Sequence, residues 1–367
     1  ELSGCGVGFK LIHAYCINNN IPFDKIVEYL DLVTISIGAD IVPIIGENRV
    51  LAFFGLKQIN FKPRIGLKAL IDVSCKTQEM KMSDLVFAIA PRINAAGRIA
   101  HARKAVELLV ELNYDNAKLF ASAIDDKNKI RKDLDQSMTI EAISMLDKNK
   151  KSTVVFSKKW HKGVVGIVAS RLIESYYRPT IVFAEHDGMF TGSARSVHEF
   201  DLYAAISKCS HLCEKFGGHK YAAGLSIKKS NFQAFVDTFE KVVSETITKD
   251  QLSPKIDVDM EIDINDVDAK LFRIIKQFAP FGPSNVSPVF ISNGVIDNGQ
   301  AKKLGVDKSH LRVNVRTRNG FISAIGFGMG QFFDRIKGDE KFNICYSIEE
   351  NLWNGRKKMQ LMLADIK

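Results

Sequence analysis

The segment 90–98, APRINAAGR, carries side chains suited to holding a phosphate group. It places Arg92, Asn94 and Arg98 among small residues, which we interpret as a turn. Guanidinium groups match phosphate oxygens in pairs, and an amide adds a neutral donor beside them. The alternative is that both arginines pair with nearby carboxylates.

Two later segments place an imidazole and a hydroxyl–guanidinium pair at candidate ligand positions. In WHKGVVGIVASRL, His161 comes directly before a helix with a glycine-rich first turn, where unpaired backbone N–H groups would point at a ligand. In TGSARS, Ser193 and Arg195 are two residues apart, so an extended segment places both on one side. Both patterns favour an anion as the ligand.

The segment FGGHKYAAG joins two glycines to a histidine. Gly217 and Gly218 would let a ligand approach the backbone, while the imidazole of His219 donates to an oxyanion. The alternative is an ordinary loop histidine.

Asp40 is a candidate metal ligand at the end of an apolar segment. Residues 31–44, DLVTISIGADIVPI, are apolar almost throughout, which predicts a strand buried on both faces of an α/β sheet. Open α/β sheets place ligand sites at the carboxyl ends of their strands. A lone carboxylate could equally cap a turn, because hard divalent ions need several ligands.

The last part of the chain predicts a small β-barrel with a basic face. In HLRVNVRTR, 310–318, the leucine and valines alternate with Arg312, Asn314 and Arg316, so one face packs inward and the other is cationic. With Arg318, Arg356 and nearby lysines, this face could follow a nucleic-acid backbone, although a solvated strand face is the alternative. Asn-Gly pairs at 319–320 and 354–355 predict type I′ hairpin turns.

Composition limits the class of protein. With 367 residues and an apolar fraction of 46%, the chain is expected to form two or three domains. It carries 51 Lys and Arg against 42 Asp and Glu, and the net charge of +9 favours a polyanionic partner if the cations are clustered. We find no signal peptide and no apolar run near the roughly 20 residues of a membrane span. The six cysteines form no Cys-x-x-Cys pair and are expected to be reduced core thiols, so a cytoplasmic location is predicted.

The middle of the chain predicts a helical connector followed by an α/β domain. Residues 102–150 contain no glycine or proline and repeat apolar residues at helical spacing. After them, STVVF is predicted to be a strand, 163–177 a helix and PTIVFA a second strand. This β–α–β order is typical of a parallel sheet.

Nine segments, taken in order, resemble the RecJ-type exonucleases of the DHH phosphoesterase family. They span nearly the whole chain and read LSGCGVGFKL, GADIVPIIGENR, RINAAGR, WHKGVVGIVASRL, GSARS, FDLYAAI, FGGHKYAAG, FAPFGPSN and NLWNGRKKMQL. The resemblance implies an α/β multidomain protein. Its domains would be the C-terminal part of a DHH catalytic domain (1–100), a long helical connector (101–150), a DHH-associated substrate-binding domain with the GGH motif (151–250) and an OB-fold β-barrel that binds nucleic acid (251–367).

The resemblance also implies roles for individual residues. Asp40 would be the last metal-binding, catalytic aspartate of the DHH domain. The residues around the substrate phosphates would be Arg92, Asn94, Arg98, His161, Ser193, Arg195, Gly217, Gly218 and His219, and those on nucleic acid would be Arg312, Arg316, Arg318 and Arg356. The DxD and DHH metal motifs of the family are expected upstream of Glu1, so this chain alone is expected to be inactive.

The function implied is that of a single-stranded-DNA-specific 5′ to 3′ exonuclease in recombination and repair. It would hydrolyse phosphodiester bonds with two Mn²⁺ or Mg²⁺ ions and act as a monomer, with helicases or single-strand-binding proteins as partners. A small-nucleotide phosphodiesterase of the same superfamily is an alternative, but it needs no basic barrel. A non-catalytic relative that binds single-stranded DNA is another, but it would have lost Asp40 and the phosphate-binding residues.

Overall fold

The chain forms two compact units. Its structure is a computed structural model that describes residues 2–75, 78–99, 102–353 and 356–367, without the side chains of Ile99, Leu352, Trp353 and Arg356. Unit 1 comprises 1–63, 78–87 and 256–367, and unit 2 comprises 64–77 and 88–255.

The α-helices are numbered in chain order through both units. They are α1 (Gly4–Asn18), α2 (Leu30–Asp40), α3 (Gly46–Phe61), α4 (Ile65–Val73), α5 (Met82–Asp84), α6 (Ala90–Ile99), α7 (Arg103–Val110), α8 (Tyr114–Ser144), α9 (Val165–Ser175), α10 (Leu202–Lys208), α11 (Phe232–Thr246), α12 (Ala269–Lys276) and α13 (Phe333–Ile336).

The strands belong to two sheets, one in each unit. Unit 2 contains β1 (Thr153–Ser157), β2 (Thr180–His186), β3 (Met189–Arg195), β4 (Cys213–His219) and β5 (Ala222–Ile227). Unit 1 contains β6 (Met260–Glu261), β7 (Val289–Val295), β8 (Lys302–Leu304), β9 (His310–Thr317), β10 (Gly320–Gly326), β11 (Phe342–Trp353) and β12 (Arg356–Ile366).

The predicted strand at 31–44 is wrong, because most of this segment is the helix α2. Its buried residues include Val33, Thr34, Ile37 and Gly38, which recur at helical spacing. An apolar run of this length fits a buried helix as well as a buried strand, and periodicity alone does not separate the two. Asp40 is therefore the last residue of a helix, and Ile41 ends that helix in the left-handed conformation at φ 55°.

The sheet of unit 2 confirms the predicted β–α–β segment. Its strand order is β1-β2-β3-β5-β4. The neighbouring strands β1 and β2 are parallel, and α9 lies between them in the sequence. On one face, α9 packs against Val182 and Ala184 of β2. The other face carries a phenylalanine-rich core shared with α10 and α11. The segment before this sheet is helical as predicted, and α8 begins with an Asn113 side-chain cap on the N–H of Asn116.

The sheet of unit 1 has the strand arrangement of an OB-fold. Its order is β6-β7-β11-β12-β10-β9-β8, with β10 and β12 parallel. Residues 296–298, directly after β7, hydrogen-bond to β9, which closes the sheet into a barrel. Leu311, Val313 and Val315 are fully buried in its core, as the alternating pattern predicts.

The turn between β9 and β10 differs from the predicted one by one residue. Thr317 pairs with Gly320, so the two turn residues are Arg318 and Asn319. Gly320 has a positive φ of 130°, but it is already the first residue of β10. The second predicted turn, Asn354-Gly355, lies outside the described residues.

Neither a membrane span nor a disulfide is found in the described parts of the chain. None of the helices there is long and apolar enough to cross a bilayer. The cysteines form no disulfide with one another, but Cys5 and Cys75 are exposed, so the expectation that all of them lie in the core is wrong for these two.

Candidate phosphate site and nucleic-acid face

Strand pairing in unit 2 gathers several predicted residues on one face of the sheet. Directly paired residues point to the same side of a sheet. Two aligned rows cross β3, β5 and β4, namely Ser193, Gly224 and Gly217 in one row and Arg195, Ala222 and His219 in the next. Because Ser193 is paired with Val182, this is the sheet face on which α9 packs.

The row of Ser193, Gly224 and Gly217, here called the glycine row, leaves open space above this face of the sheet. A Cβ atom added at Gly217 or Gly224 would have no neighbouring atom within 4 Å. At Gly218, by contrast, a Cβ atom would lie 2.3 Å from the carbonyl oxygen of Ala222, and φ is 152°. Gly218 is therefore required by the backbone, whereas Gly217 keeps space free above the sheet.

Arg195 and Ser193 lie against the first turn of α9. The Arg195 Nη1 donates to Ser193 Oγ at 3.1 Å and to the Ala194 carbonyl at 2.8 Å. A Cβ atom on Gly166 of α9 would come within 3.0 Å of Ser193 Oγ and 3.1 Å of Arg195 Nη2, so a larger residue there would displace these side chains by a few tenths of an ångström. The helix N-terminus and the guanidinium thus share one location, and both favour an anion.

The charge of Arg195 is not neutralised by an acidic side chain. Among the described residues, no carboxylate forms a salt bridge with Arg195 or offsets its charge. Burial lowers the pKa of Arg195, and the positive charge of Arg98 lowers it further. A bound phosphate would relieve both effects, because it replaces lost hydration and screens the repulsion between the two guanidiniums.

His161 and His219 share the same local geometry. Nδ1 of His161 accepts a hydrogen bond from the N–H of Gly163 at 3.1 Å, and Nδ1 of His219 accepts one from the N–H of Tyr221 at 3.3 Å. Both side chains are exposed. A neutral imidazole with an accepting Nδ1 carries its proton on Nε2, so each ring presents an N–H donor outward.

The segment 90–98 is helical, and the predicted turn is wrong. Asn94 and Arg98 lie four residues apart in α6, hence on one face, and both are exposed. Arg98 Nη1 donates to the Gly163 carbonyl at 3.0 Å, close to His161. Small residues such as Ala95 and Ala96 pack this helix into the core instead of forming a turn.

Arg92 points away from Asn94 and Arg98. Its Nε donates to Asp125 Oδ1 of α8 at 2.9 Å, and its Nη1 donates to the Ala88 carbonyl at 2.7 Å. Both members of the ion pair are largely buried. Arg92 therefore forms the carboxylate pair that was the alternative to phosphate binding for this segment.

A buried ion cluster between α8 and α9 was missed by the sequence reasoning. The fully buried Asp135 lies 2.9 Å from Arg171 Nη2 and 3.8 Å from Arg131 Nη1, measured from its Oδ2. Burial lowers the pKa of Arg131; Asp135 opposes this, and the charges of Arg171 and Arg98 reinforce it. The spacing of Arg131 and Asp135 was visible in the sequence, but such i, i+4 pairs are usually exposed.

Asp40 lies in unit 1 and is exposed. The described residues contain no group of three His, Cys, Asp or Glu side chains that could hold a metal ion. Asp-x-Asp triplets occur at 133–135, 257–259 and 266–268, but none of them gathers a metal site among the described residues. The described residues therefore do not by themselves fit a two-metal centre.

The outer face of β9 and β10 in unit 1 combines cations with exposed aromatic rings. Arg312 pairs with Lys302 of β8, and Arg316 pairs with Phe321 of β10. Phe321 is 53% exposed, and Phe327, just beyond β10, is 62% exposed. Sequence reasoning missed both rings, although their strand position relative to the arginines follows from the hairpin register.

The remaining predicted residues of this face differ in their burial and in their partners. Asn314 is buried and bonded to Gln300, so it does not present a free amide. Arg316 lies 3.3 Å from Asp339, and Arg318 lies 3.9 Å from Asp263, in exposed pairs of little strength. The side chain of Arg356 lies outside the described residues.

Two family models match the chain. Residues 148–245 match the DHHA1 domain, and residues 258–365 match the RecJ OB domain.

Known proteins are similar over the full length of the chain. The single-stranded-DNA-specific exonuclease RecJ of Bacillus subtilis is 35% identical over 100% of the chain, which spans 46% of that protein. The exonuclease RecJ of Salmonella typhimurium is 32% identical, again over 100% of the chain and 67% of that protein. The crystal structure of RecJ in complex with Mg²⁺ from Thermus thermophilus superimposes with a TM-score of 0.86 at 27% identity, covering 100% of this chain and 56% of that one.

The chain thus spans about half to two thirds of the length of these relatives. The sheet of unit 2 lies within the segment that matches the DHHA1 domain, and the strands of the barrel lie within the segment that matches the RecJ OB domain. The chain belongs to the RecJ family of single-stranded-DNA-specific exonucleases.

Proposed function

We propose that the protein containing this chain is a metal-dependent exonuclease that degrades single-stranded DNA from the 5′ end during recombination and repair. Its named relatives are exonucleases specific for single-stranded DNA. The observation that carries the proposal is the open sheet face of unit 2, where Arg195 has no carboxylate partner among the described residues and lies beside a helix N-terminus. Such a site suits a terminal phosphate.

The side chains around this face would hold and orient that phosphate. The guanidinium of Arg195 and the hydroxyl of Ser193 donate from the sheet, and the Nε2–H groups of His161 and His219 donate from its margins. Gly217 would allow the sugar–phosphate backbone to lie directly on the sheet. Arg98 would add a second guanidinium, whereas Arg92 would act through the packing of α6 on α8.

Hydrolysis would require divalent ions. The RecJ structures from Thermus thermophilus contain Mg²⁺ or Mn²⁺. Such ions would activate water and stabilise charge on the phosphate. We propose Asp40 as one ligand. The described residues contain no cluster of such side chains that could complete the site.

The barrel of unit 1 would bind the DNA strand itself. OB-folds bind oligonucleotides on the face of their second and third strands, which here are β9 and β10. Arg312, Arg316 and Arg318 can contact phosphates, and Phe321 and Phe327 can stack on bases. These groups contain no pattern that reads base edges, so binding would tolerate any sequence.

A comparison of 5′-phosphate and 5′-hydroxyl substrates tests the phosphate site. In the full-length protein, Arg195→Ala removes a charge-assisted contact of about 1.5 to 3 kcal/mol. Turnover should weaken but persist, and the preference for the 5′-phosphate end should shrink. Asp40→Ala should nearly abolish activity, while DNA binding through the barrel survives.

Arg92→Ala is the matched control, because Arg92 is an arginine of the same unit that is already paired with Asp125. It should lower the melting temperature and leave the end preference intact. If Arg195→Ala behaves in this same way, then Arg195 is a structural residue and the phosphate site is wrongly assigned.

A further inference from the structure

A buried tryptophan next to His161 ties the segment between β1 and α9 to the long helix α8. The side chain of Trp160 is 4% exposed and belongs to the same core cluster as Met138 and Ala142 of α8. Its indole Nε1 donates to Oε2 of Glu141, also in α8, at 2.8 Å. A buried indole N–H is costly without an acceptor, so this bond favours one position of the ring against the helix.

The residues that follow Trp160 connect two of the proposed phosphate donors. Nδ1 of His161 accepts from the N–H of Gly163, and the His161 carbonyl accepts from the N–H of Val164 at 2.9 Å. The carbonyl of Gly163 in turn accepts from Nη1 of Arg98. The position of this short segment therefore determines where the imidazole of His161 and the guanidinium of Arg98 lie.

The acceptor of the indole bond can be removed without emptying the core. Glu141 is exposed, although its Oε2 reaches the buried indole of Trp160. A substitution of Glu141 thus leaves the apolar packing of Trp160 on α8 in place and removes only the group that fixes the direction of its N–H. A ring that turns to find another acceptor moves its own backbone, and the next residue along that backbone is His161.

We propose that Glu141 is a positioning residue of the phosphate site, which acts through Trp160 on His161 and Arg98. Its carboxylate contacts the indole and not the phosphate. The inference rests on the proposed function, because it assumes that His161 and Arg98 bind the 5′-phosphate. It makes the affinity for that phosphate depend on a carboxylate of the connecting helix.

Two substitutions at Glu141 separate the effect of the hydrogen bond from that of the charge. Glu141→Leu and Glu141→Gln both remove the negative charge, and leucine and glutamine both favour helices, but only glutamine keeps an acceptor oxygen. Binding of thymidine 5′-monophosphate to the 367-residue chain is measured by titration calorimetry, well below the melting temperature of each variant. Glu141→Leu should weaken binding about fivefold, which corresponds to about 1 kcal/mol. Glu141→Gln should retain most of the affinity.

The indole N–H resonance of Trp160 shows whether the ring has lost its acceptor. The chain contains two tryptophans, so ¹⁵N labelling of tryptophan gives two indole signals, and Trp353→Phe identifies the signal of Trp160. An N–H proton that loses a hydrogen bond moves to higher field. Glu141→Leu should therefore shift this signal upfield, and Glu141→Gln should shift it much less.

Asp133→Leu is the matched control, because Asp133 is an exposed carboxylate of the same helix. It removes the same charge from α8 and introduces the same side chain as Glu141→Leu. Neither the nucleotide affinity nor the indole resonance of Trp160 should respond to it.

The possible results separate the inference from the function on which it rests. If the resonance does not move in Glu141→Leu, or if this variant binds the nucleotide as tightly as Glu141→Gln does, Glu141 does not position the site, while the Arg195 site stands. If the unaltered chain does not bind thymidine 5′-monophosphate, the phosphate site itself is refuted, and the role of Glu141 with it.

Discussion

Two adjacent glycines of β4 serve different purposes. Gly218 has a backbone conformation that other residues rarely adopt, and a Cβ atom there would collide with Ala222 and Ala223. Gly217 has an ordinary conformation, and its missing side chain leaves open space above the sheet. Gly218 is therefore required by its backbone conformation, whereas Gly217 leaves room for the proposed ligand.

This difference predicts opposite outcomes for two alanine substitutions. Gly217→Ala should melt like the parent chain but bind thymidine 5′-monophosphate more weakly, because its methyl group occupies the ligand's place. Gly218→Ala should lower the free energy of unfolding by more than about 1 kcal/mol, because alanine is strained at positive φ. Thermal melting and calorimetry on the same samples measure both effects.

Gly224→Ala is a useful companion, since Gly224 lies beside Gly217 in the same open row. It should behave like Gly217→Ala. A loss of stability with unchanged nucleotide binding in both variants would mean that the glycine row serves packing and not ligand access.

At the residue scale, the sequence predicted groups that are neighbours within one strand. Ser193 and Arg195 share a side because side chains in a strand alternate, and this needs no knowledge of the fold. The partner of Arg92 could not be predicted, because Asp125 is 33 residues away on a different helix. The charge state of a candidate site thus depends on contacts that local spacing does not contain.

At the scale of single elements, the sequence reasoning failed where burial removes periodicity. The segment around α2 is apolar on nearly all sides, so it has neither the alternation of a half-buried strand nor the stripe of an amphipathic helix. The segments of β9 and α8 were assigned correctly because each has one solvent-exposed side. Amphipathic elements are therefore easier to predict than the central elements on which they pack.

The ion cluster of α8 and α9 gives a prediction at this scale. Asp135→Ala leaves Arg131 in a buried position with no carboxylate, which should cost about 3 to 5 kcal/mol of unfolding free energy. Urea denaturation of the 367-residue chain measures this loss.

Asp133→Ala is the control, because Asp133 is exposed on the same helix. Its effect should remain within about 0.5 kcal/mol. Equal effects of the two substitutions would show that Asp135 does not anchor α9 to α8.

At the scale of the whole molecule, the cationic face of the barrel predicts how salt affects DNA binding. Affinity for single-stranded DNA should fall steeply with salt because bound phosphates release counterions. Replacing Arg312 and Arg316 together by alanine should flatten the slope of log K against log salt by about two, if each contacts one phosphate. Fluorescence anisotropy with a labelled oligonucleotide at several salt concentrations gives this slope.

A second double variant controls for net charge. Arg335 and Lys337 lie at the end of α13, outside strands β9 and β10, and their removal changes the charge of the barrel by the same amount. It should leave the slope nearly unchanged. If both double variants flatten the slope equally, the DNA responds to overall charge and not to the β9–β10 face.

The sequence did not predict how the chain is divided between compact units. The family resemblance gives domains in chain order, and it contains no information on the contacts that join residues 78–87 and 256–367 to 1–63 in one compact unit. Contacts of this kind join segments more than two hundred residues apart. No local sequence pattern predicts these contacts, because each segment is compatible with several partners.

This interleaving affects the order in which the molecule can be completed on the ribosome. In unit 1, the N–H of Ile44 donates to the carbonyl of Pro283, and Arg49 donates to the carbonyls of Gln277 and Phe278. None of these bonds can form until translation has passed residue 283. By then the whole of unit 2, which ends at residue 255, has already been synthesised. The segment around Ile44 and Arg49 is thus made before unit 2 but acquires these partners only after it.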